Sequence, residues 1–242
     1  MKIVGIIPAR FGSTRLPGKP LKLIDEKPVI QHVVEQSLKA VPAVIVATDD
    51  QRIMETVNAF GAKALMTRKD HPSGSDRIAE VARQIDADII VNIQGDEPFV
   101  EPEMIRAAVE PLLDDPDLKM STVCRKIIRD DDFHNPNTVK VVTDLNNNAL
   151  YFSRSIIPFP RNNESVSVFE HIGLYVYRKS FLLALVSWSQ TPLEKAESLE
   201  QLRALENGYT IRVVETELGY GAPCIDTAED LERARKYLKA RK

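Results

Sequence analysis

The stretch Ile3-Val4-Gly5-Ile6-Ile7-Pro8-Ala9-Arg10-Phe11-Gly12-Ser13-Thr14-Arg15-Leu16-Pro17-Gly18-Lys19-Pro20 decides the fold. Its apolar start, ended by Pro8, reads as a short buried strand. The polar continuation has the composition of a phosphate-binding loop placed at a strand end. Glycines let the backbone approach a ligand and present amide donors. Ser13 and Thr14 add hydroxyl donors, and Arg10, Arg15 and Lys19 can neutralise a triphosphate. The loop is not a Walker A motif: five residues, not four, lie between Gly12 and Gly18, and Pro20 stands where a hydroxyl residue would follow Lys19. It is not G-x-G-x-x-G either. A flexible basic surface loop is the competing reading, and the density of cations, glycines and hydroxyls disfavours it.

Working outward, apolar runs at Ile3–Ile7, Ala43–Ala47, Ala62–Met66 and Ile89–Ile93 alternate with helical patterns. Positions 30, 33, 34 and 38 share a helix face, Asp50–Phe60 is expected as a helix closed by Gly61, and Ile78, Val81, Ala82 and Ile85 repeat at helical spacing. Met104, Ile105, Ala108, Val109 and Leu112 do the same, with Pro102 suited to the first turn. Such alternation predicts an α/β fold with a mostly parallel sheet flanked by helices. Ligands then bind beyond the carboxyl ends of the strands, which marks loops 8–20, 67–77 and 94–98.

The second half reads differently. Lys119–Ile127, Val139–Val142, Ala149–Phe152 and Val168–Tyr177 are expected as strands with few helices between them, making a mixed-sheet extension. Along the last, Ile172, Leu174 and Val176 should face one side and His171, Gly173 and Tyr175 the other. Thr191-Pro192-Leu193-Glu194 is a capping box expected to open one helix to about Asn207-Gly208, and Thr227 with Asp230 a second start. The expected organisation is one domain over 1–242: a nucleotide-binding core (1–115), an acceptor-binding and dimerisation extension (116–225), and a metal-site junction with a C-terminal helix (226–242). Core and extension are expected to share a cleft.

Lys plus Arg (32) against Asp plus Glu (35) leaves a net charge of −3, which argues against a polyanion clamp and so against nucleic acid as partner. Apolar content of 43% and charged content of 28% suit a soluble globular protein. A chain this long buries roughly 70% of its extended surface, enough for a core without disulfides. Cys124 and Cys224 lack C-x-x-C spacing and are expected as reduced thiols in a cytoplasmic protein. No apolar run approaches the ~18 residues of a membrane helix, and the start lacks the h-region of a signal peptide.

Further candidates carry open alternatives. Asp96, in Gln94-Gly95-Asp96-Glu97-Pro98, suits a hard divalent cation bound with phosphate oxygens, or simply caps a turn. Asp226 is a metal-ligand candidate or a helix cap, whereas Asp49 and Asp50 are expected to cap. In His71-Pro72-Ser73-Gly74-Ser75-Asp76-Arg77 the small residues and Arg77 could read a base or phosphate, or form a plain capped loop with Ser75 as cap. Arg154, Arg161 and His171 are candidates for an anionic acceptor, and Glu197 and Gln201 fall at i, i+4 on one expected helix face. No nucleophile set or zinc spacing is present among the four His.

PARFGSTRLPGKPL (8–21), VATDD (46–50), HPSGSDR (71–77), VNIQGDEP (91–98), HIGLYVYR (171–178), LEKAESLEQLRALENG (193–208) and IDTAEDLERAR (225–235) together make the chain resemble the CMP-Kdo synthetase (3-deoxy-manno-octulosonate cytidylyltransferase) family. The resemblance covers nearly the whole chain; QGDEP alone would indicate only the wider sugar nucleotidyltransferases. It implies a nucleotide-diphospho-sugar transferase-like fold and a cytoplasmic homodimer that forms CMP-Kdo and pyrophosphate from CTP and Kdo with Mg²⁺, for lipopolysaccharide synthesis. By resemblance, Ala9, Arg10, Ser13, Thr14, Arg15 and Lys19 hold the nucleotide. Ser73, Arg77 and Gln94 help read it. Asp96 and Asp226 bind metal, and Arg10, Lys19, Asp96 and Asp226 are the catalytic set. Gln94, Arg154, His171, Tyr175, Glu197 and Gln201 line the Kdo pocket. Ser75 stands where the family more often has Thr, and Ala228 where it often has Pro. Competing readings are another sugar cytidylyltransferase, such as a CMP-sialic acid synthetase, and a non-catalytic nucleotide-binding module.

Overall fold

The computed structural model describes residues 1–161, 167–219 and 221–241. The chain forms two compact units, 1–106 with 219–242, and 107–218. The sequence-based boundaries lay at 115/116 and 225/226. The difference has a packing cause at each end. Ala108, past the first division, already accepts the Ser121 hydroxyl through its carbonyl at 2.5 Å within the second unit. Ile225, wholly buried, belongs to a core cluster of the first unit with Leu16, Ile24, Val29, Leu231 and Ala234.

The elements of the first unit begin with β1 (Ile3–Ala9), a hairpin of β2 (Leu23–Ile24) and β3 (Lys27–Pro28), and α1 (Val29–Ser37). Then follow β4 (Val44–Thr48), α2 (Gln51–Ala59), β5 (Lys63–Met66), α3 (Gly74–Gln84), β6 (Ile89–Asn92) and α4 (Pro102–Asp114), within which the division falls. β1 pairs in parallel with both β4 and β6, and β4 with β5. Ile6, Ile7, Val46, Ile89, Ile90 and Val91 are fully buried. That explains why these strands read as continuous apolar runs rather than alternating ones. Val33, Ile53, Val57, Ile78 and Val81 are among the fully buried helix positions.

Two caps differ from expectation. Ser73, not Ser75, caps α3 by accepting the Asp76 amide, while Ser75 is buried in the first turn. Asp50 caps α2 by accepting the Arg52 amide, but Asp49 does not cap: its carboxylate accepts from Arg77 at 2.9 Å.

In the second unit β7 (Met120–Lys126), α5 (Asp130–His134), β8 (Lys140–Thr143), β9 (Ala149–Ser153), β10 (Phe169–Arg178), α6 (Lys179–Leu185), α7 (Pro192–Glu197), α8 (Leu202–Glu206) and β11 (Ile211–Glu215) follow. β7 is antiparallel to β10 and parallel to β11, and β8 pairs antiparallel with β9 and β10. The mixed sheet is therefore present. A bulge interrupts the β10 register between Ile172 and Tyr175. It brings the rings of His171 and Tyr175 to 5.2 Å, whereas four residues of regular strand span roughly 13 Å.

The helix expected from Pro192 to about Asn207 is two helices. Ser198 takes a left-handed conformation (φ 52°) and ends α7. The break lets Arg203 Nε reach Glu194 Oε2 at 2.8 Å, and lets the Glu206 carboxylate accept the Leu193 and Glu194 amides. A continuous helix would hold positions 194 and 203 roughly 13 Å apart along its axis. Glu197 and Gln201 therefore do not share a helix face. The apolar stretch of α6 packs inward through Phe181, Leu182 and Leu185. Finally α9 (Ala228–Ala240) returns to the first unit, its start fixed by a Thr227–Asp230 capping box.

Candidate active site

A cleft of about 330 Å³ in the first unit is lined by the loops following β1, β5 and β6, together with Asp226. It lies where a parallel sheet places ligands, beyond the carboxyl ends of its strands. Arg10, Ser13, Thr14, Arg15, Lys19, Ser73, Arg77, Gln94, Asp96 and Asp226 all line it, as does Ala9. The nucleotide and metal candidates from four separate stretches are thus gathered into one place.

Gly95 makes the convergence possible. A Cβ there would lie 2.8 Å from the Pro8 carbonyl oxygen, so only glycine lets the β6 loop pass this close to β1. Gly18 turns the first loop with φ 68° and its amide donates to the Phe11 carbonyl at 2.9 Å. Lys19 follows on a single 3₁₀ turn.

Lys19 is the hub. Its Nζ donates to Asp96 Oδ2 at 2.9 Å and to Asp226 Oδ1 at 3.1 Å. Burial works to lower its pKa, but the two carboxylates outweigh burial and hold the ammonium above its ordinary value. Arg15 reaches the other oxygen of Asp226 at 3.0 Å. Asp226 is not the cap of α9, since Thr227 and Asp230 perform that task. Asp230 Oδ2 accepts the Asp226 amide as well, which leaves the Asp226 carboxylate to the cleft. Among the described residues no ion pair engages Arg10.

The 67–77 loop is held from α3. Arg77 is buried, donating to Thr67 Oγ1 at 2.6 Å, the Arg68 carbonyl at 3.2 Å and Asp49 Oδ2 at 2.9 Å. Glu80 takes the Arg68 amide at 3.1 Å and pairs with His71. Ser73 spends its hydroxyl on Asp76 at 2.6 Å. Asp49, His71 and Glu80 support this loop through pairings that join distant parts of the sequence. VATDD and HPSGSDR were the available signals, but neither reveals which acid meets which base. Gln94 Nε2 donates to Asn92 Oδ1 at 3.3 Å.

The acceptor candidates other than Gln94 belong to the second unit. Glu197 accepts the Ser153 hydroxyl at 2.7 Å and the Arg154 amide at 3.0 Å. Arg154 donates to the carbonyls of Glu197 (2.7 Å), Pro136 (2.9 Å) and Ser198 (3.4 Å), which leaves further N–H donors on its fork. Tyr175 donates to Gln201 Oε1 at 3.1 Å, while Gln201 Nε2 is buried with no partner among the described residues. His171 was grouped with the cationic candidates. Burial instead pushes its pKa down to about 3, so the ring is neutral at physiological pH. Thr122 Oγ1 donates to the Leu174 carbonyl at 2.8 Å, so it accepts from His171 Nε2–H at 2.9 Å and leaves Nδ1 as an acceptor. Arg161 is exposed and joins no cluster in the described residues.

Asp96 and Asp226 offer hard oxygen donors in an open cleft rich in cations, which fits a Mg²⁺ ion shared with phosphate oxygens and water. No described group of three or more His, Cys, Asp or Glu forms an all-protein cage. A nucleotide-borne metal is the kind this donor set accommodates.

The cytidylyltransferase family profile matches residues 4–212. A 3-deoxy-manno-octulosonate cytidylyltransferase from Pelobacter propionicus is 53% identical, the alignment covering 99% of this chain and 98% of that protein. The protein of that name from Trichlorobacter lovleyi is 52% identical over 99% of each. A solved structure of CMP:2-keto-3-deoxy-manno-octonic acid synthetase complexed with CTP superposes with a TM-score of 0.96 at 45% identity, covering 100% of both chains.

Proposed function

The chain belongs to the cytidylyltransferase family, and from that premise we infer its chemistry: it is a 3-deoxy-manno-octulosonate cytidylyltransferase that joins CTP to Kdo and releases pyrophosphate. We propose that it activates Kdo for lipopolysaccharide synthesis. The observation that carries the mechanism is the meeting of Lys19, Asp96 and Asp226 beneath the β1 loop.

In this reading the anomeric 2-hydroxyl of Kdo attacks the α-phosphorus of CTP in line. The new O–P bond forms as the bond from the α-phosphorus to the α,β-bridging oxygen breaks; pyrophosphate carries away the electron pair, and the hydroxyl proton passes to solvent. Among the described residues lining the cleft no hydroxyl is paired with a histidine as an activated nucleophile, so this reading takes catalysis to consist of positioning and charge stabilisation. Arg10, Arg15, Lys19, Ser13 and Thr14 grip the triphosphate. A bound phosphate would give the ammonium of Lys19 and the guanidinium of Arg15 a new anionic partner, and Asp96 and Asp226 are the residues that would hold Mg²⁺. A divalent ion held there would supply Lewis acidity for charge developing on the phosphoryl oxygens.

Arg77, committed to Asp49, Thr67 and Arg68, holds the nucleoside loop in place; Ser73 and Gln94 line the same cleft. For the acceptor, the remaining N–H donors of Arg154 suit the Kdo carboxylate. The neutral His171 Nδ1 accepts from a sugar hydroxyl, and the unpartnered Gln201 Nε2 donates to one. Tyr175 and Glu197 hold Gln201 and Arg154 in place.

We place the protein in the cytoplasm as a homodimer. Free cysteines at 124 and 224 suit a reducing compartment, and no described helix is long and apolar enough to cross a membrane. Leu145, Leu150 and Phe159 are exposed apolar side chains of the second unit that we propose a second copy covers. Sedimentation velocity tests the dimer.

Pyrophosphate release from CTP and Mg²⁺, measured with Kdo and with N-acetylneuraminate, tests the activity. Release dependent on Kdo is expected. Release with N-acetylneuraminate alone would assign a different acceptor, and CTP binding with no release from either would make the chain a binding module.

A further inference from the structure

Phe11 is the keystone of the loop that grips the triphosphate in the proposed reaction. Its carbonyl accepts two amides, from Ser13 and from Gly18, each at 2.9 Å. Its ring lies against Gly18 so closely that a Cβ there would approach Phe11 Cε2 to 2.9 Å. On that same ring sits a cation, with Arg52 Cζ 3.5 Å from the centroid. Arg52 is itself held. Asp50 Oδ1 accepts from its Nε at 2.9 Å and Asp50 Oδ2 from its Nη2 at 2.7 Å, a bidentate fork that fixes the guanidinium plane. The same Asp50 Oδ1 accepts the Arg52 amide at 3.0 Å as the cap of α2, so the acid is fixed to the helix end. The guanidinium in turn holds the Asp50 carboxyl below the usual carboxylate range. Phe11, Asp50 and Arg52 are not among the residues lining the cleft.

We propose that Arg52, oriented by Asp50, is a positioning residue for the nucleotide loop and acts through the ring of Phe11. The chain of contacts runs from the α2 cap through the guanidinium and the ring to Gly18, and the next residue is Lys19. Fixing the ring fixes the two amides on the Phe11 carbonyl, and with them the start of the turn that aims the Lys19 ammonium at Asp96 and Asp226. Arg52 lies outside the lining of the cleft. Its contribution is to hold the ligand-free loop near its binding shape, so that less ordering is left for CTP to impose.

The inference rests on the loop being the triphosphate grip. It is tested in the full chain with Arg52→Ala, Arg52→Lys, Phe11→Leu, Phe11→Tyr and the Arg52→Ala/Phe11→Leu pair. KM for CTP, KM for Kdo, kcat and Tm are measured for each. Losing a stacked cation should raise KM for CTP by about two- to tenfold in Arg52→Ala and Phe11→Leu. KM for Kdo should stay unchanged. Arg52→Lys should follow Arg52→Ala because an ammonium lacks the planar fork, and Phe11→Tyr should behave as wild type. The paired variant should be no worse than the worse single one.

Multiplicative losses in the pair, or a fall in Tm with KM for CTP unmoved, would overturn the proposal. Arg52 is largely exposed, so Arg52→Ala remains informative even if Phe11→Leu does not fold. Lys19→Ala separates the two levels. If it raises KM for CTP while the Arg52 and Phe11 variants do not, only the positioning role fails. If it leaves KM for CTP unchanged, the loop reading itself fails.

Discussion

Lys19 Nζ and Asp226 Oδ1 lie 3.1 Å apart although they are 207 positions apart in the chain. Their meeting is a consequence of packing. Ile225, Leu231 and Ala234 near the chain end bury against Leu16, Ile24 and Val29 near its start. That apolar cluster delivers one carboxylate to Lys19, and the loop after β6 supplies the other, Asp96.

Asp226→Asn keeps the shape of the side chain but removes its charge. We expect kcat to fall by about 100-fold or more, the scale of losing one preorganised electrostatic partner. Affinity for CTP, measured by calorimetry without turnover, should change little. Near-normal turnover at saturating Mg²⁺ would remove Asp226 from the metal site.

Lys19→Ala removes a half-buried ammonium that bonds two carboxylates. KM for CTP should rise about 10- to 100-fold, as for loss of a charge-assisted hydrogen bond, and kcat should fall. An effect confined to KM for Kdo would contradict its place in the triphosphate grip.

Gly95→Ala places a methyl 2.8 Å from the Pro8 carbonyl oxygen, which is backbone and cannot swing away. Forcing the β6 loop off β1 should cost about 1–3 kcal/mol. Thermal unfolding would show it as a lower Tm, with a loss of activity because Asp96 is the next residue. An unchanged Tm would mean that the two loops part without strain.

Glu194→Ala leaves the buried Arg203 guanidinium without its carboxylate. Removing one partner of a buried pair costs about 3–5 kcal/mol. Urea unfolding should show a clear loss, because that pair also holds α7 against α8. A loss below about 1 kcal/mol would place the pair among solvent-screened ones.

His171 has a folded pKa of about 3 against an ordinary 6.5. Between those values the unfolded chain binds the proton more readily. The contribution of His171 to stability is therefore complete above about pH 6.5 and is lost as pH falls toward 3. His171→Phe should flatten the pH dependence of the urea midpoint between pH 4 and 6.5. A slope equal to wild type would mean that other groups set it.

Much of the first unit was legible because its strands and helices are governed by local pattern. The apolar runs, Pro102 at the start of α4, Gly61 after α2 and the Thr227–Asp230 box each act within a few residues. What was not legible turned on long-range partners. Nothing near Asp49 in sequence shows that Arg77, 28 residues on, would take it from capping duty. The same holds for Ser198: the helix pattern of 192–207 continues through it, and only Glu194 with Arg203 and Glu206 with the α7 amides require a break there. His171 was grouped with cations by its chemistry, and burial removed its charge.

The sequence by itself determined the strand-and-loop frame, the cationic first loop and the two acids able to serve a metal, because periodicity, glycine placement and residue chemistry are local properties. Only the tertiary structure decided that Lys19, Asp96 and Asp226 share one point, that Asp49 belongs to Arg77, and that α7 stops at Ser198. Those outcomes depend on which distant groups are brought within hydrogen-bonding range when the apolar core closes, and no local pattern encodes that distance.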